Sequence, residues 1–110
     1  LVSGAPARNC RPGQISLSSV GGAVEALVRA VARVIAPPKR INVVSPGTID
    51  TPMTAFEGDE RKKFYANATK NNLIPRAGTA DEVAKGIVFV VQNEFVTGTT
   101  VDVDGGWLLA

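Results

Sequence analysis

Residues Arg40 to Met53 read RINVVSPGTIDTPM. A short apolar run, Ile41 to Val44, runs into Ser45-Pro46-Gly47 and then into a polar stretch that holds Asp50 and Thr51. Pro46 fixes its own φ and biases Ser45 toward extended geometry. Gly47 permits a turn or a close backbone approach that a side chain would block. The pattern predicts a buried strand ending in a loop, which is where open α/β sheets bind ligands.

The elements on either side alternate in type. Leu1 to Ser3 reads as the end of a strand, and Ala5 to Gln14, with Pro6, Pro12 and Gly13, as a loop. A helix is expected from about Ser18 or Ser19 to Ile35, because Val24, Leu27, Val28, Val31, Val34 and Ile35 recur at helical spacing. Glu25 and Arg29, four apart, are expected to pair on its outer side, and Pro37-Pro38 to end it. Gly21 and Gly22 read as close packing at the helix start rather than as a phosphate loop. A short helix is expected near Glu60 to Thr69. Thr79-Ala80-Asp81-Glu82 matches a capping box that opens another helix, with Val83, Ile87, Val90 and Val91 inward. A last strand, Thr99 to Val103, precedes Asp104-Gly105-Gly106-Trp107. Strands alternating with helices imply right-handed crossovers and a parallel sheet with helices on both faces. The expected fold class is α/β, a parallel sheet with flanking helices.

Composition narrows the chemistry. The chain has 110 residues, about one small domain, and 45% are apolar, enough to bury a core. A formal charge of +2 gives no argument for nucleic acid or an anionic membrane. Lys39-Arg40 and Arg61-Lys62-Lys63 read as solvated faces. There is no histidine, which removes imidazole metal sites and Ser-His-Asp chemistry, and no metal site is expected. The single cysteine, Cys10, fits a reducing compartment, and a cytoplasmic setting is expected. No apolar run is expected to approach the ~18 residues of a membrane span. Cys10 and Met53 read as packing residues, and Trp107 as a packing or interface aromatic.

Together, GAVEALVRAVARVIAP, RINVVSPGTIDTPM, TADEVAKGIVFVV and VTGTTVDVDGG resemble, in order and spacing, the C-terminal half of the short-chain dehydrogenase/reductase family. The resemblance covers nearly the whole chain. It implies that residues 1–110 form the C-terminal portion of one Rossmann-like domain, the C-terminal part of a doubly wound parallel sheet with flanking helices, without the earlier glycine-rich loop that holds the cofactor pyrophosphate. It implies that Pro46, Gly47, Ile49 and Thr51 line the nicotinamide end of NAD or NADP. Ser3, thirteen residues before Ser16, matches the family serine that hydrogen-bonds the substrate carbonyl oxygen. In the same alignment Ser16 stands at the catalytic Tyr and Val20 at the catalytic Lys. An alkyl hydroxyl is a far weaker acid than a phenol, whose pKa is about 10, and valine brings no charge. Tyr65, the one tyrosine, is followed four residues later by Thr69, so no shift of register restores the pair. It is expected half-buried in the substrate-side loop.

Three readings follow. The first is an NAD(P)-dependent oxidoreductase with an atypical centre, acting on a small carbonyl or alcohol substrate. The second is a non-catalytic relative acting as nucleotide sensor or oligomer partner. The third is a fragment held together by pairing of copies. Family resemblance also implies a homo-oligomer, dimer or tetramer, assembled through the long helix and the last strand.

Overall fold

The computed structural model describes all residues from Leu1 to Ala110. After a 3-10 turn at Ala5–Ala7, helix α1 spans Ile15–Ile35 and strand β1 spans Val43–Pro46. Then come β2 (Ile49–Asp50), α2 (Gly58–Thr69), β3 (Gly78–Thr79), α3 (Ala80–Gln92), β4 (Thr100–Val103) and a closing 3-10 turn at Trp107–Leu109.

Strands β1 and β4 are parallel, in register from Val43 opposite Thr100 to Pro46 opposite Val103. Val2 adds a parallel bridge on the other edge of β1, where Ser3 N donates to Val44 O at 3.0 Å and Val44 N to Leu1 O at 3.0 Å. The order is therefore Val2, β1, β4, with β1 in the centre. A second small parallel pair, β2 with β3, extends the loop side. This is the expected parallel α/β arrangement. β1 starts two residues later than the apolar run suggests, because Ile41 bonds to the Thr97–Gly98 turn before the ladder begins.

Side-chain alternation along β1 sends Val44 to one face and Val43 and Ser45 to the other, and all three are buried. Helix α3 covers the Val44 face. It comes so close that a Cβ on Gly86 would lie 2.9 Å from Val103 Cγ2 and 3.5 Å from Val44 Cγ1. Helix α1 buries Gly21, Glu25, Val28 and Ala32, spaced four, three and four residues apart, with Gly21 against Ala7, Glu25 against Ser3 and Arg8, and Ala32 facing Gly98. The capping box at α3 forms as expected: Glu82 N donates to Thr79 Oγ1 at 3.2 Å, and Thr79 N donates to Glu82 Oε2 at 2.8 Å.

Several expectations are corrected. Helix α1 begins at Ile15, so Ser16 lies in its first turn. Glu25 is 3% exposed and does not pair with Arg29. Arg40 is not a solvated cation: its guanidinium donates to the carbonyls of Val90, Val91 and Val96 at 2.7–2.8 Å, tying the end of α3 to the entry of β1. Cys10 and Met53 are exposed rather than packed. Leu27 and Val34 of α1 and Ile87 and Val91 of α3 also face outward, because a three-stranded sheet is too narrow to cover them. The radius of gyration, 14.9 Å, exceeds the ~13 Å expected of a compact domain of this length. Helix α1 is long and apolar enough to cross a membrane by length and composition alone, with mean hydropathy 1.4. Here it packs on β1 and buries an ion-paired glutamate.

Candidate functional site

A cavity of about 620 Å³ opens where the C-terminal end of β1 meets the first turns of α1. Pro46, Gly47 and Thr48 form one wall, Ser3 and Gly4 a second, and Ser16, Leu17, Val20, Gly21 and Val24 a third. Met53 and Trp107 lie at the edges. The α1 residues recur at three- and four-residue spacing, so a single helix face borders the space.

Backbone geometry fixes the β1 wall. Gly47 N donates to Val103 O at 3.1 Å, and a Cβ on Gly47 would sit 2.7 Å from Asp104 O and 2.8 Å from Asp104 Cα. Only glycine allows the two chains to approach this closely. Asp104 also organises the turn after β4. Its carboxylate accepts from Gly106 N at 2.8 Å and Leu108 N at 3.0 Å, across two glycines with positive φ. That turn delivers Trp107, 4% exposed, to the cavity edge, with the Arg11 guanidinium 4.0 Å from its ring.

Ser3 joins a chain of polar groups. Its Oγ donates to Glu25 Oε1 at 3.0 Å, and Arg8 Nε forms an ion pair with Glu25 Oε2 at 3.1 Å. Both terminal nitrogens of Arg8 reach the Asp102 carboxylate on β4. The hydrogen bond to Asp102 is the main reason the Arg8 pKa rises above its ordinary value. Glu25 was missed as a site residue. The signal was present, since it falls in line with Gly21, Val28 and Ala32 on the inward stripe.

The expected residues do not all converge. Ser3, Ser16, Val20, Pro46 and Gly47 line the cavity, Ser16 and Val20 from exposed positions. Ile49 lines a smaller neighbouring cavity of about 270 Å³ with Arg76, Glu82 and Asp102. Thr51 lines neither cavity; its carbonyl accepts from Arg61 Nη2 at 2.7 Å. Thr48, which the sequence did not single out, lines both. The Tyr65 ring is buried, more deeply than expected, and its hydroxyl donates to Thr54 Oγ1 at 2.7 Å. Arg61 is also not a solvated cation. It holds the Asp50 carboxylate and the carbonyls of Thr51, Thr54 and Phe56, which fixes the loop over α2. No cluster of three or more metal-ligating side chains occurs.

A family model described as enoyl-(acyl carrier protein) reductase matches residues 3–108. The short-chain reductase protein NovJ of Streptomyces niveus is 34% identical over 101 residues, 86% of this chain and 38% of NovJ. The 3-oxoacyl-[acyl-carrier-protein] reductase of Rattus norvegicus is 38% identical over 95 residues, 86% of this chain and 38% of the relative. Among solved structures, a small-chain dehydrogenase in complex with NADPH superposes with a TM-score of 0.91 at 32% identity, covering 100% of this chain and 50% of the other. The MalC reductase/Diels-Alderase of Malbranchea aurantiaca gives 0.90 at 32% identity, covering 100% and 42%. The chain spans about two fifths of the length of the curated relatives it matches.

Proposed function

The chain belongs to the short-chain dehydrogenase/reductase family, and from that premise we propose that it forms the nicotinamide side of an NAD(P)-dependent oxidoreductase with an altered proton-handling centre. The observation that carries this reading is the cavity itself. It lies beyond the C-terminal end of a central parallel strand, between a Pro-Gly backbone wall and the first turns of the helix that follows the serine strand.

A nicotinamide ring fits the residues present. Pro46 offers an apolar edge, Gly47 and Thr48 offer backbone at close range, and Thr48 adds a hydroxyl. When bound, the cofactor supplies hydride chemistry. The pyrophosphate end finds no matching glycine-rich loop among residues 1–110. Ile49 and Thr51 would act from behind the wall by shaping the loop.

Ser3 would touch the oxygen of a small carbonyl or alcohol substrate. In the register taken from the sequence, Ser16 and Val20 would stand at the positions of the phenol and the ammonium. Leu17 and Gly21, one residue further on and also four apart, line the same cavity and would fill those positions in the neighbouring register. Neither pair offers a phenol or an amine. Ser3 and Ser16 are then the hydroxyls near the substrate, and proton exchange runs through water or through groups outside the chain.

That substitution also favours a second reading, a non-catalytic relative that binds nucleotide without turnover. Exposed Ala23, Ala26 and Ala30 on α1 suit helix-to-helix pairing of copies in either case. NADPH titration of the full-length protein, followed by nicotinamide fluorescence, separates the readings. Saturable binding with turnover on a carbonyl panel supports the oxidoreductase, binding without turnover supports the sensor, and no binding at millimolar NADPH removes both.

A further inference from the structure

We infer that Glu25 is a positioning residue that turns the Ser3 hydroxyl into a hydrogen-bond acceptor toward the cavity, so that the site selects ligands bearing a hydroxyl over the matching ketones. The inference rests on the proposed reading only in taking Ser3 as a group that faces substrate.

A serine hydroxyl has one hydrogen and two acceptor lone pairs, whereas a carboxylate only accepts. The Ser3 Oγ to Glu25 Oε1 bond at 3.0 Å therefore commits the single Ser3 hydrogen to Glu25. Ser3 is among the residues that line the cavity, so what its hydroxyl has left to offer a ligand there is lone-pair density. A ligand hydroxyl can donate into it, while a ketone oxygen meets it acceptor against acceptor and gains no hydrogen bond.

Three features hold this arrangement. Glu25 is 3% exposed, so water does not compete freely for its oxygens. Its other oxygen is taken by Arg8 Nε at 3.1 Å, and Arg8 is itself anchored on Asp102. One helical turn earlier, Gly21 lets α1 close on the turn that leads into Arg8: a Cβ there would lie 2.9 Å from Ala7 Cβ. Ser16 lines the same cavity, but no side-chain hydrogen bond fixes its hydroxyl, and it can serve either kind of ligand.

The test needs no cofactor. Cyclohexanol and cyclohexanone are titrated into the 110-residue chain, with the Trp107 indole N–H resonance as the readout. The expected result is a preference for cyclohexanol of about threefold to tenfold, the worth of one net hydrogen bond. Glu25→Gln can present an amide N–H to Ser3 Oγ and release the hydroxyl hydrogen, so the preference should vanish or invert. Ser3→Ala should abolish it, and that variant carries the test alone should Glu25→Gln not fold. Equal affinity in the unaltered chain, a preference that survives Ser3→Ala, or no response of Trp107 to either ligand overturns the inference. NADPH binding without the Glu25-dependent preference defeats this inference alone. The preference without NADPH binding defeats the proposed function alone.

Discussion

The β1 wall of the cavity and the polar network that holds Ser3 are built on opposite principles. The β1 wall is a matter of backbone: a strand, a proline that stops the ladder, and a glycine that lets Asp104 come within van der Waals contact. The network is a matter of side chains drawn from distant parts of the sequence: Ser3, Arg8, Glu25 and Asp102 span 94 residues between Arg8 and Asp102 alone. The first is encoded by neighbours and tolerates no added atom. The second is encoded by packing, and its members can be exchanged one at a time.

The sharpest way to break the β1 wall is Gly47→Ala. Its Cβ would collide with main-chain atoms that have no freedom to move aside, and the expected loss is about 3 kcal/mol. Thermal unfolding with the far-UV signal checks it, and an unchanged midpoint would remove the close-approach argument. Arg8→Ala attacks the polar network. It strands the buried Glu25 carboxylate without its cation, but Arg8 itself is partly exposed, so a loss of about 2 kcal/mol is expected, between the values for exposed and buried pairs. Denaturant unfolding should show it, while the β1–β4 amides stay protected from exchange.

A smaller effect sharpens the contrast with a purely local device. Thr79→Ala removes the side-chain cap of α3 and is expected to cost about 1 kcal/mol, with no effect on ligand response at Trp107. The neighbouring Glu82 gives a pH signature. Its hydrogen bond from Arg76, helped by one from the Thr79 backbone, lowers the carboxyl from 4.5 to about 2. A depressed folded-state pKa contributes stability above the ordinary carboxylate range, and that contribution is lost as pH falls through about 2. Carbon-detected titration of Glu82 should place its midpoint near 2 and move it upward in Arg76→Ala. A midpoint above 4 would show that the pair does not form.

The same division explains what could be read in the sequence. The RINVVSPGT run, the Thr79–Glu82 box and the helix ending before Pro37-Pro38 are local, and each stands where the residues indicate, give or take two positions. The family assignment rests on these pieces. Glu25 and Arg40 were misjudged because charge suggests solvent, and only tertiary contact shows otherwise: one meets Ser3 and Arg8, the other three carbonyls. Thr48 was overlooked in favour of Thr51 because a two-residue strand, β2, turns the chain after Thr48 and carries Thr51 away from the cavity. Outward-facing Leu27, Val34 and Val91 follow helical periodicity faithfully. Periodicity tells which residues share a face, and the width of the sheet decides how much of that face is covered.

The Arg40 guanidinium couples two events that a parallel fold otherwise keeps apart. Because it closes the carbonyls at the end of α3 and of the following turn from a position just before β1, the last turn of that helix and the first residues of the central strand open together. Amide exchange should therefore report Val43 and Asn93 as members of one cooperative unit. In Arg40→Ala they should separate, the helix end fraying while the strand stays closed.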